Sequence, residues 1–102
     1  MKYDVEFAKK LLGKSILIAV NVIDSNGEIE SQQQMHGLIK SVSATEGILI
    51  LLNGSFLGKQ WQMPPDTSSI KIAEAGEYNL KATGEVIKNP DYICSWQVHR
   101  NE

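Results

Sequence analysis

The stretch SILIAVNVIDSNGEIESQQQMHGLIKSVSATEGILILL, residues 15–52, decides the fold. It opens with an Ile- and Val-rich run, residues 15–23, in which Asn21 is the only polar interruption. A run that apolar, at strand length, predicts a strand buried on both faces, one toward a barrel interior and one under a helix. Asp24-Ser25-Asn26-Gly27 follows as a hairpin turn, because Asn26-Gly27 accepts positive φ. Residues 28–42 then read as a long second strand. Its outer half, residues 30–34, is polar on both faces and is expected to project into solvent as an arm. Its inner half alternates Met35, Gly37 and Ile39 against His36, Leu38 and Lys40, which places His36 on the outer face. A glycine in mid-strand predicts a bend or a close backbone approach at Gly37. Residues 43–47 turn the chain again, and residues 48–52 form another doubly apolar strand.

Upstream, residues 4–12 predict a short helix. Asp4 is its N-cap, Val5, Ala8 and Leu12 share a stripe widened by Phe7 and Leu11, and Gly13 stops it. Downstream, Asn53-Gly54-Ser55 is a turn. Residues 57–63 predict a fourth strand, with Trp61 and Met63 on one face, ended by Pro64-Pro65. Asp66-Thr67-Ser68 suits a tight turn before a short strand at residues 69–73. The remainder, residues 74–102, reads as an extension. It holds a short strand at 77–83 broken by Gly84, a turn at Asn89-Pro90-Asp91, and a last strand at 92–99. That strand puts Tyr92, Cys94, Trp96 and Val98 on one face.

One short helix followed by five or more short strands at turn spacings of roughly ten residues predicts a mostly-β fold. The expected architecture is a small antiparallel barrel within a single domain, residues 1–102. Residues 4–73 form the barrel and its helix, and residues 74–102 pack on it. Leu11-Leu12-Gly13-Lys14, the apolar strand, the Asn26-Gly27 hairpin and the spacing Gly37, Ile39, Val42, Ile48, Ile50 resemble the Sm-like branch of the SH3-type small barrels. That resemblance implies a closed, rolled sheet. It does not carry the family's RNA pocket, since the positions of its Asp and Asn hold Ser43 and Gly47. Its basic-residue-and-Gly turn is replaced by Pro64-Pro65-Asp66. As a whole the chain also resembles short bacterial proteins of mobile cassettes and toxin–immunity loci.

Composition sets further bounds. The 102 residues are 42% hydrophobic and 22% charged, the make-up of one soluble domain. Ten basic against twelve acidic residues leave a formal charge of −2, so no bulk attraction to nucleic acid or anionic lipid is expected. The longest apolar run, Ile16 to Val20, is far short of the ~18 residues of a membrane helix. A single cysteine excludes an internal disulfide framework and fits a reducing, cytoplasmic setting.

Chemistry-bearing residues are few. Cys94 is a candidate nucleophile, but its apolar strand predicts a buried structural thiol. His36, His99 and Cys94 lack convergent ligand spacing, so neither metal nor cofactor is expected. Asp66, Asp91, Glu74, Glu77 and Glu85 lie in turns, where carboxylates serve as caps or solvated charges. Gly54 to Lys59 ends in Gly-Lys without the spacing of a phosphate loop. The aromatic set Trp61, Tyr78, Tyr92 and Trp96 is the candidate binding surface, for bases or a peptide if exposed and part of the core if covered. With no catalytic constellation, the expected role is a non-enzymatic binding or assembly module for a protein partner or for itself. The alternatives are an Sm-like nucleic-acid binder with an atypical site, an enzyme using Cys94, and a toxin-immunity protein.

Overall fold

Asp4 starts α1 (Val5–Leu11) by accepting the Phe7 N–H on its carboxylate at 3.1 Å. Seven residues do not sustain a helix in water, so docking holds it. Ala8 and Leu11 are buried, and Phe7 packs against the same core. Its entry is tied down from the far side of the chain. Buried Thr67 accepts the Asp4 N–H at 2.9 Å and donates to the Lys2 carbonyl at 3.3 Å. These elements come from a computed structural model in which residues 2–99 are described.

The strands are β1 (Ser15–Ile23), β2 (Ile29–Ser43), β3 (Gly47–Leu52), β4 (Gln60–Met63), β5 (Ile70–Ile72), β6 (Glu77–Asn79), β7 (Val86–Lys88) and β8 (Tyr92–His99). The molecule is mostly β, as its alternating and doubly apolar runs predict. β1 to β4 form an antiparallel meander, joined by hairpins. β8 then lies beside β1 in parallel, and β5 flanks β8 antiparallel, giving the order β4-β3-β2-β1-β8-β5. β6 and β7 make a separate hairpin.

Two features of the expected antiparallel barrel are corrected. The sheet is not closed: among the described residues β4 and β5 do not pair and remain edges. The segment between them carries Pro64-Pro65, which has no N–H to extend a ladder. Nor is it wholly antiparallel. The place beside β1 is taken by β8, delivered from the far end of the chain and held in register at its start. The Asp91 carboxylate accepts both the Ser15 N–H (3.0 Å) and the Ser15 hydroxyl (3.1 Å), and Asp91 N–H donates back to Ser15 Oγ at 2.9 Å. Residues 92–94 therefore lie inside the sheet, between β1 and β5.

The sheet still rolls around one core. Met63 from one edge and Ile70 from the other join Leu11, Ile16, Ile18, Ile39, Ile48 and Ile50 in a single buried cluster. Gly37 permits the roll. A Cβ there would stand 2.0 Å from the Leu51 carbonyl oxygen, and the β2–β3 register shifts just beyond, between Ile39 and Ser41. The second face of β1 is not under the helix as expected. Leu17 and Ala19 are half-buried beneath the excursion of residues 74–91, from which Tyr78 reaches them and in which Leu80 is 2% exposed. β7 has no counterpart among the expected strands, and β4 is shorter than expected, because residues 57–58 extend the turn that follows the 3-10 helix at 54–56, with Gly58 at φ +91°. Among the described residues no helix is long and apolar enough to cross a membrane.

Candidate functional site

The four aromatic candidates divide between the two faces of the sheet. Strand alternation puts Trp61 of β4 and Tyr92 and Trp96 of β8 on the concave side, where all three pack half-buried against the core. Tyr92 meets Phe7 edge-on, with ring centroids 5.8 Å apart at 84°. Trp96 pairs with Val20 across the ladder, and its indole N–H is buried with no partner among the described residues. Tyr78 is separate, on the convex side, with its hydroxyl donating to the Glu74 carbonyl at 2.8 Å. No two of the four stack on each other among the described residues. The rings are spread over the molecule and form no continuous platform for bases.

Tyr78 borders a cleft of about 150 Å³ between the excursion and the sheet, lined by Leu17, Ala19, Gln34, Ile93 and Ser95. That is below the roughly 300–1,000 Å³ of sites that enclose drug-sized ligands. Its polar rim is partly spoken for, since Gln34 Oε1 accepts the Ala82 N–H at 3.1 Å.

The convex side also gathers a polar cluster that the sequence did not point to. Glu85 reaches from the excursion to two other parts of the chain. Its Oε2 lies 2.8 Å from His36 Nε2 on β2, and its Oε1 accepts the Ser55 hydroxyl at 3.1 Å and the Ser55 N–H at 3.4 Å. The His36 contact leads the interactions that hold the Glu85 carboxyl down at about 2, against an ordinary 4.5. An ionised carboxylate only accepts, so His36 Nε2 carries the proton between them. Gly54 makes room for this approach. A Cβ there would lie 1.9 Å from Glu85 Oε2 and 2.6 Å from His36 Nε2, and its φ of +65° suits glycine. Serine, histidine and glutamate are all present, but the carboxylate stands between the other two. A nucleophile relay needs the imidazole in the middle. Here the arrangement clasps the excursion to the sheet and leaves Ser55 unactivated.

Cys94 faces the core on β8, and burial pushes its thiol up to about 12, so it is protonated at neutral pH and a poor nucleophile. Asp66 caps the turn at residues 67–69 by accepting the Ser68 N–H at 3.0 Å. Its hydrogen bond from the Ser68 hydroxyl lowers its carboxyl below the usual range. No group of three or more His, Cys, Asp or Glu among the described residues is placed to hold a metal ion.

Part of the strand backbone lacks a ladder partner among the described residues. β5 covers only residues 92–94 of β8, so residues 95–99 pair with β1 on one side and with nothing described on the other. On β2 the β3 ladder ends at Gly37, and the His36 carbonyl just beyond it accepts the Asn53 N–H at 2.8 Å. Exposed apolar side chains stand on the strands concerned, Ile29 of β2 at 62% and Val98 of β8 at 49%, and on the edge strand β5, Ile72 at 76%. No family model, curated protein or solved structure matches the chain.

Proposed function

We propose that the chain is a non-enzymatic binding or assembly module that engages a protein partner or a copy of itself through its sheet borders. The observation that carries this reading is the strand backbone of residues 95–99 of β8, unpaired on one side among the described residues, with Val98 exposed on it and with Ile29 of β2 and Ile72 of the edge strand β5 also exposed. Open strand edges bind extended protein segments by ladder hydrogen bonds, with apolar neighbours supplying contact area. The scattered aromatics and the absence of a basic track argue against nucleic acid as the partner. Kinship with the Sm-like small barrels is part of the proposal. It rests on the helix, the β1–β4 meander and the close approach at Gly37, with the roll opened by insertion of β8.

The test uses the tagged full chain and a variant with Ile29, Ile72 and Val98 all changed to lysine. Light scattering across concentration and affinity capture from the host are expected to show self-association or a retained protein that the variant loses. A strictly monomeric chain with no border-dependent partner overturns the reading. So does salt-sensitive binding of single-stranded RNA or DNA.

A further inference from the structure

The borders of the sheet are not equivalent. β4 is four residues long and is followed by Pro64; β5 is three residues long and contains Lys71. The outer stretch of β2 carries Glu30. Short strands, prolines and charges are the devices that keep edges from pairing. The open part of β8, Ser95-Trp96-Gln97-Val98-His99, has no proline and no Lys, Arg, Asp or Glu, with His99 its one titratable side chain.

We propose that this segment of β8 is a homodimer seam, in which residues 95–99 of two copies pair antiparallel about a two-fold axis at Gln97. The inference rests on the protein-interaction reading above and names its partner as a second copy. Two rows of side chains support that register. On the convex face, Gln32, Asn21 and Gln97 are aligned across β2, β1 and β8, and Gln32 Nε2 already donates to Asn21 Oδ1 at 2.7 Å. The row ends at the open edge. A two-fold at Gln97 sets it against Gln97 of the other copy and continues the amide ladder through both molecules. On the concave face, the same axis sets Trp96 of each copy opposite Val98 of the other. An aromatic opposite a β-branched residue is a favourable cross-strand pair, and it covers a valine that is otherwise half exposed. Any other register of the seam loses both matches.

The pairing must end where β5 begins, because Cys94 is already paired with Ile70. A five-residue seam falls at the low end of interface sizes, below roughly 1,200 Å², so the dimer forms reversibly at high protein concentration.

Disulfide trapping in the full chain tests the register. Directly opposed residues have Cβ atoms about 4.5–5.5 Å apart, whereas residues 95 of the two copies would be separated by about 13 Å along the strands. Under mild oxidation Gln97→Cys is expected to form a covalent dimer about tenfold or more faster than Ser95→Cys. Native Cys94 is buried and does not compete. Adding Val98→Lys to Gln97→Cys is expected to bring the rate down to that of Ser95→Cys, and Val98→Lys alone to shift the light-scattering mass to that of one chain. Equal trapping at positions 95 and 97, growth beyond a dimer, or a wild-type monomer at millimolar concentration overturns the seam. A host protein captured in a border-dependent way alongside such a monomer leaves the broader reading standing, so the two fail separately.

Discussion

At Gly37 a single hydrogen atom in place of a side chain lets β2 and β3 approach as the roll tightens. The obstacle to any larger residue is the backbone at Leu51, which no rotamer change moves aside. Gly37→Ala is expected to cost about 2–3 kcal/mol, seen as a lower urea midpoint at unchanged slope. The sequence made this position legible, because glycine inside a strand already signals close approach. Glu85 was not legible. It lies 49 residues from His36 and 30 from Ser55, and nothing in its own surroundings distinguishes it from a solvated carboxylate. Its folded carboxyl titrates near 2 instead of 4.5, so the stability it contributes is present above about pH 4.5 and is lost as the pH falls toward 2. Glu85→Gln is expected to flatten that part of the stability–pH curve, measured by urea unfolding at steps between pH 2 and 5.

The elements that local pattern predicts are the ones whose cause is local. α1 has its cap in Asp4 and its stop at Gly13, whose φ is +76°. The alternation of β2 as far as Ile39 and the faces of β8 follow from a two-residue period, which the bulge between Ile39 and Ser41 then shifts so that Val42 packs on the core. β7 escaped because three residues carry too little pattern to register. The partner of β8 escaped for another reason: periodicity reports which face is apolar and says nothing about which strand lies alongside. That partner is chosen by Ser15 and Asp91, whose three hydrogen bonds align the starts of β1 and β8. Asp91→Ala is expected to destabilise the fold by about 1–2 kcal/mol. Amide exchange in β8 should accelerate more than in β3, which keeps both its neighbours.

For the molecule as a whole, the closing segment is also a structural centre. β8 contributes Cys94 to the buried core and Tyr92 and Trp96 to its rim, and it alone stands between β1 and β5. A chain ending at residue 91 loses those contacts and exposes the apolar flank of β1. It is expected to show no cooperative thermal transition by circular dichroism, where the full chain shows one. The same position explains why β8 has an edge to offer at all: β5 is too short to cover it.

The amino-acid order by itself determined that this is a mostly-β protein with a short capped helix. It determined where the chain must turn and which face of most strands is apolar, because caps, turn chemistry and two-residue periodicity act over a few neighbouring residues; on α1 it misplaced the stripe, since Val5 and Leu12 are exposed and Ala8 and Leu11 are buried. The tertiary structure alone decided that the sheet stays open, that β8 runs parallel to β1, and that Glu85 clasps His36 and Ser55. Those outcomes depend on groups dozens of residues apart competing for the same edge or the same hydrogen bond, and no local pattern records which of them wins.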